Sequence, residues 1–343
     1  MPSDTSFLAY GCSEWRKSSQ IASNLYEDGV KLWSKDNLQH IEQQLLQSMD
    51  LEYFTVRLID GTEACIKNPM FAERRPIWRP RVTYREYWRL VTSQPDGPSE
   101  TYRCSYLVHW ENVCAKRFQG IIENADTVFE ENRHTWSQSA SCRLLRSRLE
   151  EVFSVRKVAK IICFGLGDMC RGPPEWYRRQ TGSSGQELEA EFIRPSTIQH
   201  SVALTMADMC SANNIQLLAQ DPGYTEEAKE MLKGKGFSIV GPFGAGGFAE
   251  IEDDSVIFSA FVEAPLKQII ADLARPALII TTDRTTFNDA GKPWADPESP
   301  RTKKMWDEYE RCDFPVSPED AELLKSVRNL YMYVRKVSQV TSE

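Results

Sequence analysis

With 343 residues, of which 41% are apolar and 26% charged, the chain has the make-up of a folded globular protein long enough for one large domain or two ordinary ones. A net charge of −8 argues against non-specific coating of nucleic acid, so DNA is not an expected partner. The apolar runs are strand-sized, too short for a membrane-spanning helix, and Met1-Pro2-Ser3-Asp4 lacks the layout of a secretory signal, which makes the cytoplasm the expected location.

The chain opens with a predicted amphipathic helix from Asp36 to Met49, on which Leu38, Ile41, Leu45 and Met49 recur at helical spacing and Asp36 with Gln39 resembles a capping box. Residues 51–66 and 101–110 read as strands from their β-branched and aromatic content, with Asp60-Gly61 as a turn. Between them, Arg74, Arg75, Arg79, Arg81, Arg85 and Arg89 are interleaved with Trp78, Tyr84, Tyr87 and Trp88. The ordinary reading is a solvated face, and the sharper one is a surface for RNA. A helix is expected from about Ala140 to Val155, and a second basic run holds Arg143, Arg146, Arg148, Arg156, Lys157 and Lys160.

From Val158 the pattern alternates between strands and helices. Strands are predicted at 158–164, 215–220, 237–240, 255–259, 277–281 and 330–335, with a loop from Pro173-Pro174 through Gly185 and helices over Gln199–Cys210, after Thr225, and from Pro265 to about Ala274. Short apolar strands between helices imply a mostly parallel sheet covered on both faces. The fold class is therefore α/β, with a Rossmann-like three-layer domain over 151–343 preceded by a smaller α+β region over 1–150. Ligands of such sheets bind beyond the carboxyl ends of the strands. Asp168, Asp221, Ser259 with Glu263, and Thr282 with Asp283 fall at those ends, and Asp168, Asp221, Tyr224 and Glu263 are expected to line one cavity.

Gly165-x-Gly167 follows a strand, but the third glycine position holds Cys170 and no helix opens there, so a dinucleotide is not expected. Gly241–Gly247 lacks the Gly-Lys-Ser/Thr of a phosphate loop and reads as a flexible connection. Nine cysteines with no C-x-x-C pair, and four histidines with none at i,i+4, predict neither a disulfide framework nor a metal centre, and no cofactor is expected.

The series ICFGLGD (162–168), IQHSVALT (198–205), 217–241, GFAEIEDDSVIFSAF (247–261), 264–280, 296–315 and LYMYVRK (330–336), with 25–45 near the start, resembles the SRR1-like family in its fungal form. Glu263-Ala264-Pro265 departs from the asparagine-containing variant expected there. The plant and yeast members are tied to signalling and growth. The arginine-containing cyclodipeptide synthases of fungal specialised metabolism also look similar. They imply two partners, arginyl-tRNA and a second aminoacyl-tRNA. Under that resemblance Asp221, Glu226, Glu250 and Asp254 are candidates to pair with a guanidinium, alongside Gly165, Gly167, Asp168 and Glu263 as substrate-binding positions. Tyr224 and His200 are the candidate proton-transfer groups, and Ser259 is the candidate acyl carrier. Arg79, Arg81, Arg85 and Arg156 would meet tRNA phosphates, with Trp78 or Trp88 stacking on a base. Each residue also has a plain structural reading: Glu226 serves a helix dipole, His200 is a satisfied helix histidine, and Ser259 is a polar strand end. The alternative from another class is a non-catalytic regulatory or interaction protein, since a fold does not entail an activity. A nucleotide- or porphyrin-pathway enzyme rests on family association alone.

Overall fold

The computed structural model describes residues 13–74, 76–114, 119–182, 185–210, 215–285 and 295–337. Cys12, Arg75 and Ser183-Ser184, which entered the readings above, lie outside these residues.

Helices α1 (Glu14–Glu27) and α2 (Lys35–Leu46) are followed by the antiparallel pair β1 (Tyr53–Arg57) and β2 (Glu63–Lys67). Asp60 turns that pair by accepting from the backbone and hydroxyl of Thr62. A second antiparallel pair, β3 (Trp78–Tyr84) and β4 (Tyr106–Asn112), flanks the short α3 (Tyr87–Val91). Helices α4 (Ala125–Gln138) and α5 (Ala140–Ser154) then lead into the main sheet.

Its parallel strands are β5 (Lys160–Phe164), β6 (Gln216–Gln220), β7 (Ser238–Ile239), β8 (Ser255–Phe258) and β9 (Leu278–Thr282). Two antiparallel strands, β10 (Tyr309–Asp313) and β11 (Leu330–Arg335), complete a seven-stranded order β10-β11-β9-β8-β5-β6-β7. The remaining helices are α6 (Glu175–Thr181), α7 (Gln186–Met209), α8 (Glu226–Gly234), α9 (Gly246–Ala249), α10 (Leu266–Leu273) and α11 (Pro300–Trp306). The chain is thus mixed α/β with a mostly parallel sheet.

Both faces of the sheet are buried, which is why its central strands are continuous apolar runs. Ile162, Phe164, Leu218, Ile257, Ile279 and Tyr333 pack on one face with residues of α1, α2, β1, β3, α9, α10 and α11. Ile161, Cys163, Ala219, Val256, Phe258 and Ile280 pack on the other with α4, α5, α7 and α8. The N-terminal part is therefore divided: residues up to β4 cover one face, while α4 and α5 cover the opposite one. A boundary at residue 150 falls inside α5.

Several elements differ from the sequence reading. The arginine-rich stretch contains strand β3, whose two-residue alternation buries Pro80, Val82 and Tyr84 and leaves Arg79 and Arg81 on the other side. The segment read as a loop after Pro173-Pro174 holds α6, stopped by Gly182 at φ +65°, and α7 begins at Gln186, thirteen residues before the helix predicted from Gln199. Helix α7 continues through Pro195, anchored in its first turns by Leu188 and Ile193 and joined to α4 where Asn132 donates to Thr197 (3.0 Å) and Trp136 to Thr205 (2.9 Å). Helix α2 is capped by Ser34, which accepts from Asn37 N–H, rather than by Asp36. The strand predicted at 101–110 begins at Tyr106, after a turn of 3-10 helix at Ser99–Thr101. The predicted cap of α8 is present: Thr225 Oγ1 accepts from Ala228 N–H at 3.2 Å.

Candidate functional site

The chain runs from β5 outward to β6 and β7, then returns to place β8 on the other side of β5. The crevice beyond the carboxyl ends of β5 and β8 is thus a topological switch point, where α/β sheets bind ligands. A cavity of 510 Å³ lies there, lined from below by Gly165 and Gly167 after β5, Gln220 at the end of β6 with Asp221–Gly223 after it, and Phe261–Ala264 after β8. Strands β3 and β4 roof it with Arg81, Val82, Tyr84 and Glu111, and Gly244 and Phe248 close one side.

The two glycines are there for space. Gly165 has φ +64°, and a Cβ on it would stand 2.1 Å from the carbonyl oxygen of Phe261; Gly167 has φ +84°, and its Cβ would stand 2.5 Å from Ser196 Oγ. Asp221 ties the β5 and β6 loops together by accepting from Gly167 N–H (3.0 Å) and Gly223 N–H (2.8 Å). Across the mouth, Arg81 on the roof meets Glu263 on the β8–α10 loop at 2.9 Å.

A second cavity, of 410 Å³, adjoins the first and shares Glu111, Pro222 and Gly223 with it; Arg79, Arg171, Tyr224, Glu226 and Glu227 are among its other walls. Arg79 donates to the carbonyls of Pro222 (3.5 Å) and Pro242 (2.9 Å) and lies over the Phe243 ring, and Arg171 donates to the carbonyl of Gly223 at 2.7 Å. Glu226 is ion-paired with Lys229 at 2.6 Å, whose hydrogen bond holds its carboxyl below the ordinary range.

A family model described as the SRR1 domain matches residues 145–340. The chain belongs to the SRR1 domain family. No curated protein and no solved structure matches it. In this SRR1 chain the matched segment supplies the floor of the cavity, whereas the roof residues Arg81, Val82, Tyr84 and Glu111 come from outside it.

Gly165, Gly167, Asp221 and Glu263 meet at one cavity, but Asp168 and Tyr224 do not join them there. Asp168 Oδ1 accepts from the N–H groups of Cys170 and Arg171, each at 2.7 Å, and its other oxygen from Thr225 N–H, so the carboxylate is occupied with its own loop and the start of α8. The Tyr224 hydroxyl turns inward to His200 Nε2 at 2.8 Å, while His200 Nδ1 donates to Ser196 O at 2.7 Å. The ring is fully buried, and burial pulls its pKa from 6.5 to about 4, so it is neutral and accepts from Tyr224. Burial in turn raises the Tyr224 phenol.

Ser259 is buried just after β8, its N–H bonded to Ile280 O at 2.9 Å and its hydroxyl without a partner among the described residues; it lines neither cavity. Glu250 and Asp254 precede β8 and therefore sit at the amino end of the sheet, away from the ligand edge. Glu250 is paired there with Lys160 at 2.9 Å, and the Asp254 carbonyl accepts from Ala159 N–H at 3.0 Å.

The four arginines assigned to tRNA phosphates do not gather on one patch. Arg156 enters β5 from the amino end, where burial and neighbouring Arg335 lower its pKa, whereas Arg79 and Arg81 stand over the carboxyl end. Arg85 is fixed to the α3–β4 connection through the carbonyls of Thr101 (2.7 Å) and Asp96, and Trp88 donates to Glu298 O at 2.8 Å. Trp78 is exposed.

Sequence reasoning missed Tyr84, Glu111, Gln220 and Phe248. Gln220 was findable, being the last residue of a predicted parallel strand. The other three depend on pairings between distant segments. Among the described residues no helix is long and apolar enough to cross a membrane, and no three His, Cys, Asp or Glu side chains are grouped to hold a metal ion.

Proposed function

We propose that this SRR1 chain is an aminoacyl-tRNA-dependent transferase that joins an arginyl and a second aminoacyl group into a cyclodipeptide, as a cytoplasmic enzyme of fungal specialised metabolism built on a Rossmann-like sheet. The observation that carries this reading is the pair of adjoining cavities sharing Glu111, Pro222 and Gly223. Two compartments with a common wall suit two aminoacyl groups held so that the amine of one faces the ester carbonyl of the other, and such positioning is most of what an already activated ester requires. The carboxylates Asp221, Glu263, Glu111 and Glu226 suit ammonium or guanidinium partners, and Arg79 and Arg81 stand at the same edge, where tRNA phosphates would arrive.

No serine, cysteine, lysine or histidine lines either cavity among the described residues, which favours direct aminolysis over an acyl-enzyme on Ser259. In that scheme one amine attacks the neighbouring ester, the amide forms, and one tRNA leaves as its free hydroxyl. The proton lost by the amine passes through a carboxylate to that oxygen. The second amine then closes the ring and releases the second tRNA.

A specific observation favours the other reading, a non-catalytic SRR1 binding or regulatory protein. The His200–Tyr224 pair beside the site is closed on itself, so neither group is directed at a ligand. Expression in a bacterial host with mass spectrometry of the medium separates the two. Arginine-containing diketopiperazines that purified protein also makes from charged tRNA support the enzyme. A product made from free amino acids and ATP, or no product from a folded protein, removes the tRNA reading.

A further inference from the structure

The glycine-rich segment that closes one side of the cavity is organised by a side chain from the other end of the chain. Glu42 on α2 is buried. Its Oε1 accepts from Phe243 N–H at 2.7 Å, and its Oε2 accepts from Ala245 N–H at 2.8 Å and Gly246 N–H at 3.0 Å. The next N–H, of Gly247, goes to Gln220 Oε1 at 2.6 Å. Backbone N–H groups converging in this way form an anion-binding nest. Here the nest is filled from within, so the loop has no vacancy for a nucleotide phosphate despite its glycines. A Cβ on Gly246 would meet Glu42 Cγ at 3.1 Å, so the space between loop and carboxylate is fully used.

Glu42 receives three donors and donates to none of them, the pattern of an ionised carboxylate. Burial raises its pKa while the three N–H groups and the positive charge of Arg79 oppose that rise; Tyr84, the other titratable group facing it, is raised by burial and by Glu42 itself. Tyr84 and Gln220 meanwhile hold the loop at the Gly244 carbonyl, at 2.7 and 3.2 Å.

We propose that Glu42 is a positioning residue of the cavity, an internal anion that folds residues 241–247 into its wall and whose place a small free carboxylate can take. It acts through Gly244 and Phe248 rather than by touching a ligand. The proposal does not depend on the reaction assigned above, and its test measures no turnover.

The full chain carrying Glu42→Ala is compared with the parent by amide hydrogen exchange, with circular dichroism to check folding. Loss of three charge-assisted bonds is expected to speed exchange of 243–248 by roughly tenfold or more. Sodium formate, but not sodium chloride at the same ionic strength, is expected to restore much of the protection. Unchanged protection in the variant, or a folded variant that formate protects no better than chloride, overturns the proposal. If Glu42→Ala does not fold, Glu42→Gln decides, since it keeps the volume but loses the charge and one acceptor. Faster exchange confined to 243–248 supports the proposal, and parental protection overturns it.

Discussion

Acid should destabilise this fold through His200. The folded ring titrates near 4 because it is fully buried, while in the unfolded chain it returns to the ordinary 6.5. Between those values the unfolded chain binds a proton that the folded chain refuses, so stability falls as pH drops below 6.5 and the loss levels off below about 4. Integrating the two titrations gives a loss of about 2 kcal/mol by about pH 5 and about 3 kcal/mol by about pH 4. The control is His200→Phe with Tyr224→Phe, which replaces both partners of the hydrogen bond and strands neither. Urea unfolding followed by tryptophan fluorescence, repeated from neutral to mildly acidic pH, gives the two stability profiles. Other carboxylates titrate in both proteins, so the difference between the profiles isolates the histidine. That difference should shrink or reverse by about 2 kcal/mol on reaching about pH 5. Parallel profiles would refute the assignment of His200 as a buried neutral acceptor.

Gly165→Ala should cost on the order of 3 kcal/mol or prevent folding, because the new Cβ meets the Phe261 carbonyl at 2.1 Å and the backbone sits at φ +64°; thermal unfolding measures it. Ser259→Ala should leave product formation unchanged in the mass-spectrometric assay, since the hydroxyl lines neither cavity. Arg81→Glu or Glu263→Arg alone should lower product formation by placing like charges across the mouth, and the double exchange should recover part of it in the same assay. Asp272→Ala should destabilise by about 3–5 kcal/mol in urea unfolding, because it strands Arg301 and the N–H groups of Leu32 and Trp33 together.

Legibility in the sequence followed burial. Strands β5, β6, β8 and β9 were readable because both of their faces are covered, which makes them unbroken apolar runs. Thr225 and the Asp60-Gly61 turn were readable because capping and turning are local chemistry. β3 was not: Arg79, Pro80 and Arg81 weaken every strand signal, and what makes it a strand is its pairing with β4 and the bond from Val82 N–H to Phe243 O at 2.8 Å. β10, with the sequence YERCD, lies at the edge of the sheet and carries mostly exposed side chains, so neither alternation nor an apolar run announces it. The early turns of α7 bury little beyond Leu188 and Ile193 and carry Pro195. At the site, the strand-end rule reached Asp221 and Glu263 but also pointed to Asp168, Ser259, Thr282 and Asp283, which line neither cavity. Glu250 and Asp254 were chosen for their carboxylates alone, and they precede β8 rather than follow a strand. Glu42 left one sign, a carboxylate among the buried positions Leu38, Ile41 and Leu45 of α2.

The clasp between the chain's two ends sets an order of events for its birth. Leu32 and Trp33 give their N–H groups to Asp272, and Arg301 stacks its guanidinium on Tyr26 while donating to the carbonyls of Tyr26 and Val30. On the ribosome α1, α2 and the segment between them therefore emerge long before the surface that buries them exists. Contacts of such sequence separation close slowly, and the waiting segment keeps apolar side chains in water meanwhile. Nascent chains halted before Arg301 should accordingly be bound by chaperones and cut by protease within α1 and α2, and that exposure should end once α11 has cleared the exit tunnel.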